Sequence, residues 1–290
     1  MAHDSHAIAS AESCHQNKEG LVKAKRQAVS GKRKSGNRGY GWVPDLPDQR
    51  DYFYGAVRKI PRRLPKSVDL RPLCSPVEDQ ENLGSCTANA LAGALEFLEK
   101  KDKVPFVDCS RLFIYYNERV IEHSTKYDNG AMIRDGIKTL AKQGVCAEKT
   151  WPYTIAKFTA KPPAACYKEA LTRQITSYHR IVTLDEMRAC LAEGFPFVFG
   201  FTVYESFESQ QVAKTGAVGM PKPRERVLGG HAVLAVGYDD AKKRFVLRNS
   251  WGTGWGLKGY FTMPYDYLAD RNLSDDFWTV RRGGLMMKKN

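Results

Sequence analysis

The sequence predicts an α+β protein of two lobes with a cleft between them, and three stretches carry this prediction. A run of strong helix formers at 90–101 repeats its apolar residues at helical spacing. Two β-rich runs flank a polar turn at 239–243, as in an antiparallel hairpin. The apolar run 195–201 suits a buried strand better than a ligand site. We therefore expect a mainly helical first lobe, residues 64–170, and a mainly antiparallel, barrel-like second lobe, residues 171–290.

The composition is that of a folded protein without a membrane span. Of its 290 residues, 42% are hydrophobic and 11% aromatic, which excludes wholesale disorder. The longest apolar stretch is far shorter than the roughly 18 residues that a membrane span needs. Residues 1–20 lack the apolar core of a secretory signal peptide. The localisation stays open: the protein is cytoplasmic, or it is exported by a non-classical route, or a signal has been removed. The oligomeric state also stays open, and we favour a monomer.

Positive charge is concentrated in the N-terminal region. The formal net charge is +13, and residues 1–63 hold 13 Lys and Arg against six acids. We expect residues 1–40 to be largely flexible, with a short helix near Glu19–Val29. The cluster Lys32-Arg33-Lys34 is typical of a solvated tail. The alternative is a contact with an anionic ligand, a nucleic acid or a membrane surface.

The stretch Tyr40–Tyr54 differs from the tail before it because it combines several aromatic residues with prolines. It is too apolar to remain solvated and too rich in proline to fold alone. We expect it to lie extended on the domain that follows.

One cysteine occupies a position typical of a nucleophile. Cys86 follows Gly84-Ser85 at the start of the predicted helix, and Ser85 can cap the first turn. The positive end of the helix dipole favours the thiolate, so we expect a lowered pKa for Cys86. The alternative is that Cys86 is an inert core residue.

The predicted hairpin brings a histidine and an asparagine together. His231 and Asn249 lie on its two arms, and their pairing is centred on residue 240, inside the turn. An amide oxygen can accept a hydrogen bond from one ring N–H and leave the other nitrogen facing a thiol. The alternative is a core histidine with no part in catalysis.

Together these motifs resemble the papain-like cysteine proteases. The resemblance covers about residues 64–265, and its most specific part is the run NSWGTGWG that begins at Asn249. It implies that Cys86 is the nucleophile, that His231 is its base and that Asn249 orients His231. Trp251 would shield that hydrogen bond from water. Gln80, six residues before Cys86, matches the glutamine that stabilises the oxyanion.

The resemblance also implies where substrate binds. The substrate backbone would pair near Gly130, and the pocket residues suggest an apolar side chain at P2, the second residue before the cleaved bond. The expected substrate-binding residues are Gly130, Ala131, Met132, Ile133, Gly200, Ala232 and Trp251. No metal and no cofactor is expected.

Three residues depart from the family pattern. Thr87 replaces the usual aromatic residue, and Leu83 replaces a cysteine that usually forms a disulfide. Both changes suit reducing conditions. Ala131 replaces a second glycine, which puts the geometry of the P2 subsite in doubt. The seven cysteines are an odd number, so at least one is unpaired within the chain, and their pairing stays open.

The expected activity is that of a cysteine endopeptidase acting on proteins or peptides. The peptidase domain would span residues 64–290, preceded by a short pro-segment-like extension at 1–63. Residues 40–54 would fold back across or beside the cleft, or the extension would pack elsewhere. Two other functions remain open: a thiol acyltransferase with the same triad, and a non-enzymatic protein that binds an anion through its basic N-terminal region.

Overall fold

The computed structural model describes residues 39–283, so the expected helix at 19–29 and the basic cluster at 32–34 lie outside the described residues. The α-helices are α1 (Tyr54–Val57), α2 (Cys86–Lys101), α3 (Arg111–Ile121), α4 (Ile133–Lys142), α5 (Ala164–Ala170), α6 (Leu184–Ala192), α7 (Gln210–Thr215) and α8 (Tyr265–Ala269). The strands are β1 (Ser67–Asp69), β2 (Ser177–Arg180), β3 (Phe197–Tyr204), β4 (Val227–Asp239), β5 (Arg244–Arg248), β6 (Tyr260–Pro264) and β7 (Ser274–Arg281). No helix within the described range is long and apolar enough to cross a membrane.

Helix α2 is the central helix of the molecule. Every residue from Cys86 to Glu99 is buried, because the helix packs against β4 on one side and against α3 and α4 on the others. A helix that is covered all round needs apolar or small residues on every face, which explains its alanine-rich sequence. The predicted helix is confirmed, and it begins four residues earlier than its apolar period.

The seven strands form one antiparallel sheet in the order β2-β7-β3-β4-β5-β6, with β1 paired to β4. The sheet is open, since β2 and β6 lie at opposite ends of this path, so the barrel-like lobe that we expected is not a closed barrel. Strand β1 belongs to this sheet although it precedes α2–α8 in the chain.

Strand β3 supplies the core of the sheet, as predicted for the run 195–201. Phe197, Phe199 and Phe201 are fully buried. The ring of Phe199 stacks on Phe277 of β7 at 5.2 Å between centroids. Such ring pairs add to the hydrophobic gain from burial and fix the packing of β3 against β7.

The hairpin of β4 and β5 has a slightly different register from the predicted one. Tyr238 pairs with Phe245, and the register shifts between Ala235 and Gly237. The shift is a bulge, which the sequence pattern did not reveal. Asn249 follows directly after the last residue of β5 and still reaches back toward His231.

Candidate active site

The thiol of Cys86 lies at the first residue of α2 and is fully buried. Burial raises its pKa to about 12, against the lowering effect of hydrogen bonds from the backbone of Ala232, Gly41 and Thr87. The expectation of a lowered thiol pKa is therefore wrong for this conformation, because desolvation outweighs the helix dipole. Ser85 occupies the N-cap position, but its hydroxyl pairs with the Tyr153 hydroxyl at 2.6 Å instead of capping the helix.

His231 and Asn249 are in direct contact. His231 Nε2 and Asn249 Oδ1 are 2.8 Å apart, and both side chains are buried. The ring of Trp251 lies 5.1 Å from the imidazole, so it covers this hydrogen bond from solvent. Because Asn249 engages Nε2, a proton transfer between His231 and a thiol would use the other ring nitrogen, Nδ1.

Gln80 is held with its amide NH₂ directed into the cleft. Its Oε1 accepts a hydrogen bond from the Ser250 hydroxyl at 2.5 Å, which fixes the orientation of the amide. Its Nε2 donates to the carbonyl oxygens of Leu83 and of Gly39, at 2.9 and 2.8 Å. The structure thus brings Gln80 beside a carbonyl of the N-terminal region.

Residues 39–43, called the cleft segment below, pair with both walls of the cleft. Trp42 N donates to Gly230 O at 2.9 Å, and Val43 N donates to Ala131 O at 3.0 Å. Ala131 N donates in turn to Gly41 O at 2.7 Å, which makes a parallel bridge between Trp42 and Ala131. Ala131, which stands where the family pattern has a glycine, therefore still pairs through its backbone N–H and carbonyl oxygen.

Tyr40 covers the histidine. Its ring lies 6.2 Å from the rings of both His231 and Trp251, and its hydroxyl donates to Glu208. An aromatic side chain seated there closes the imidazole off from solvent.

Two glycines let the cleft segment approach the backbone before Cys86. A Cβ atom on Gly39 would lie 2.3 Å from Leu83 O, and one on Gly41 would lie 1.8 Å from Gly84 O. No side chain fits at either position, because these contacts are with rigid backbone. Small residues therefore alternate with the large Tyr40 and Trp42.

Trp42 fills a pocket that we call the indole pocket. A Cβ on Gly200 would lie 1.9 Å from the indole, and one on Gly230 would lie 2.9 Å from it, so two glycines of β3 and β4 form its flat wall. At the far end, Trp42 Nε1 donates to Asp276 Oδ2 at 3.0 Å. Asp276 is 1% exposed and has a positive φ of 57°. Sequence reasoning missed Asp276, because only the irregular register of β7 turns it toward the pocket.

Two further carboxylates of the N-terminal region lie close to the buried Arg134 and the half-buried Arg180. Asp51 Oδ2 pairs with Arg134 at 2.6 Å and with Arg180 at 3.2 Å. Asp45 accepts from the backbone of Arg134 and from Trp278 Nε1, at 3.1 and 2.8 Å. Burial raises the pKa of Asp45 to about 6, although the nearby Arg134 lowers it.

The other predicted pocket residues occupy different environments. Ile133 and Ala232 are buried, while Met132 is half-buried and its backbone N–H donates to Glu122. Gly130 has a φ of +76° and lies against Gly41, where only glycine fits.

Thr87, which departs from the family pattern, donates its hydroxyl proton to the fully buried Glu118 at 2.9 Å. The six cysteines within the described residues are unpaired. Among the same residues no cluster of His, Cys, Asp and Glu is suited to a metal ion.

Beyond α1 the chain is accessible. Most of the stretch 57–66 is exposed to solvent, and it is rich in Lys, Arg and Pro. This stretch, called the linker below, joins the N-terminal region to β1.

Comparisons with known proteins find similar sequences and similar folds. The chain is 45% identical over 272 residues to an uncharacterised peptidase C1-like protein of Acanthamoeba polyphaga mimivirus, covering 84% of this chain and 87% of that protein. The fold of this chain is similar to that of xylellain, a cysteine protease from Xylella fastidiosa. The two are 45% identical, with a TM-score of 0.80, over 87% of this chain and 98% of the other.

A second solved structure shows the same fold at lower identity. Procathepsin L 3 from the larval midgut of Tenebrio molitor is 18% identical, with a TM-score of 0.66, over 90% of this chain and 79% of the other. The profile of the papain family cysteine proteases matches residues 64–275. The chain therefore belongs to the papain family of cysteine proteases.

Proposed function

We propose that the protein is a cysteine endopeptidase that is made in a closed form. The observation that carries the proposal is the set of Cys86 at a helix start, the 2.8 Å contact of His231 with Asn249, and Gln80, whose Nε2 donates to Leu83 O three residues before Cys86. A papain-family protease acts on protein substrates. Peptide hydrolysis by a thiol needs a nucleophile, a base, a group that orients the base and a donor to the oxyanion, and these four residues can supply them.

The reaction begins when His231 takes the proton of Cys86 and the thiolate attacks the substrate carbonyl. Gln80 Nε2 and the backbone N–H of Cys86 donate to the oxyanion of the tetrahedral intermediate. The carbon–nitrogen bond breaks, and the amine leaves with the proton from His231. Water, activated by His231, then hydrolyses the thioester and restores the thiol. Asn249 holds the imidazole in the orientation that serves both steps.

Cleavage within a chain is favoured by the path of the cleft segment. Residues 39–43 are bonded along the cleft, from Gln80 Nε2 at Gly39 O to Ala131 O at Val43 N. A cleft that holds several consecutive backbone groups of an extended chain suits an endopeptidase.

The closed form is supported by the contacts of the cleft segment. It occupies Gln80, Gly230 and Ala131, covers His231 with Tyr40 and buries Cys86. A substrate cannot pair with the same groups while the segment is seated. We infer that removal or release of the segment precedes activity.

To test the proposal, the full-length protein is treated with an epoxysuccinyl inhibitor of cysteine proteases, and its intact mass is then measured. The expected result is slow formation of one adduct, faster formation after the chain is cut in the linker, and no adduct with Cys86→Ala. An adduct that forms equally fast before and after the cut would refute the closed form. No adduct in either form would refute the protease assignment of these residues. Adding a free amine during peptide turnover and weighing the products distinguishes hydrolysis from acyl transfer.

A further inference from the structure

We propose that Asn89 is a positioning residue, which orients Asn249 through one buried water molecule and so keeps His231 able to accept the proton of the Cys86 thiol. The inference rests on the proposed endopeptidase function, because it concerns the same reaction. It starts from a small cavity beside the contact of His231 with Asn249.

The cavity lies between α2 and the hairpin of β4 and β5. Asn89 and Gly93 of α2 line one side, and Ala232 of β4 lines the other together with Asn249, which follows β5. The space open to the centre of a water molecule is about 10 Å³. One buried water molecule needs roughly 10–15 Å³ of such space and two to four polar partners. The cavity therefore has room for one water molecule and for no larger ligand.

Asn249 supplies a hydrogen-bond donor without a partner. Its Oδ1 is occupied, since it accepts from His231 Nε2 at 2.8 Å and from Ser250 N at 2.9 Å. These contacts identify the two ends of the amide, because an amide oxygen only accepts and an amide nitrogen only donates. The other end, Nδ2, is buried and has no hydrogen-bond partner among residues 39–283.

Asn89 supplies the complementary acceptor. Its Nδ2 donates to Ser85 O at 2.9 Å and to Ser85 Oγ at 3.1 Å, at the start of α2. Its Oδ1 is buried and has no partner in the part of the chain that the structure describes. A buried polar atom without a partner is costly. One water molecule that accepts from Asn249 Nδ2 and donates to Asn89 Oδ1 satisfies both amides.

The bridge links the helix of the nucleophile to the base. Asn89 lies three residues after Cys86 on α2, whereas His231 lies on β4. Without the bridge, the Asn249 amide turns more easily by half a turn, which directs Nδ2 at His231 Nε2. Two donors cannot pair, so the ring then carries its proton on Nδ1. That tautomer cannot take the thiol proton at Nδ1.

A crystal structure at atomic resolution, of the full-length chain with Cys86→Ala, tests the bridge directly. We expect one water molecule within hydrogen-bond distance of both Asn89 Oδ1 and Asn249 Nδ2. A dry cavity, or a water molecule that contacts only one of the two amides, would overturn the inference. The measurement needs no catalytic activity, so its result holds even if the proposed function fails.

Nitrogen NMR shifts of His231 in the same chain test the positioning role, because they show which ring nitrogen carries the proton. We expect the proton on Nε2, and a mixture of both tautomers after Asn89→Leu, which removes both polar ends at similar size. Asn117→Leu is the matched control, since Asn117 is also buried in a helix and donates to the carbonyl four residues before it. Both variants should lose stability, but only Asn89→Leu should change the tautomer. The same tautomer in both variants would overturn the inference.

Steady-state kinetics connect the bridge to catalysis. In the full chain with Trp42→Ala, whose cleft segment lacks its indole, Asn89→Leu should lower kcat for a fluorogenic peptide amide about tenfold, with little change in KM. Asn117→Leu should leave both constants unchanged. A kcat that Asn89→Leu does not lower would refute the positioning role. If the Trp42→Ala chain itself cleaves no peptide, the endopeptidase is refuted, while the crystal structure and the NMR shifts still decide the bridge.

Discussion

Trp42→Ala should open the cleft of the full-length protein. The side chain is 2% exposed in the closed form and donates a hydrogen bond to Asp276. Truncating a buried tryptophan costs about 3–5 kcal/mol. If this cost falls on the seating of the cleft segment, the ratio of open to closed protein rises roughly a hundredfold to a few thousandfold.

The assay is the rate at which Cys86 forms an adduct with an epoxysuccinyl inhibitor, followed by intact mass. The rate should rise with the open fraction until that fraction approaches one. Tyr52→Ala is the matched control, because Tyr52 is an aromatic residue of the same region with 68% of its side chain exposed, and its rate should equal that of the wild type. A thermal melt shows whether either variant loses global stability. A Trp42→Ala protein that melts like the wild type and reacts no faster would refute the reasoning.

Three further predictions concern the oxyanion, the response to pH and the stability of the helical region. Gln80→Ala in the Trp42→Ala chain should lower kcat by about 10²–10³, with a smaller change in KM, because one donor to the oxyanion is lost; steady-state kinetics would contradict this if KM alone changed. Asp45 has a pKa of about 6 when seated, raised above its ordinary value mainly by burial, so seating is strongest at acid pH and weakens as pH rises through about 6. The adduct rate of the wild type relative to Asp45→Asn should therefore increase between pH 4 and 7, and a ratio independent of pH would contradict the assignment. Arg119 is fully buried and donates to the carbonyls of Tyr115, Thr125, Tyr127 and Phe158. Arg119→Met leaves these carbonyls without their donor, at about 1–3 kcal/mol for each buried acceptor, and should lower Tm by roughly 10 °C; a melt within error of the wild type would contradict this.

Periodicity and local motifs were sufficient to predict α2, β3 and the hairpin that carries His231. Each of these elements buries a continuous apolar face, so its pattern is written in consecutive residues. The bulge between Ala235 and Gly237 was not predictable, because it depends on how β4 meets two neighbours at once.

The sequence predicted which residues form the site better than it predicted what surrounds them. The dipole argument for Cys86 considered α2 alone and did not include the burial that the cleft segment imposes. Asp276 lies 190 residues after Cys86 in the chain, and its approach to Trp42 depends on the register of β7. Long-range contacts of this kind leave no local signature.

The exposed linker keeps the cleft segment near the cleft, and so it affects how large a fraction of the protein has the segment bound there. While the chain is intact, the cleft segment is held at an effective concentration on the order of millimolar, set by the length of the tether. Weak intrinsic affinity is then sufficient to close the site. One cut between residues 57 and 66 would turn the same contacts into a bimolecular equilibrium, in which closure depends on the total protein concentration. Dilution alone would then release the segment, and concentrating the cut protein would restore inhibition.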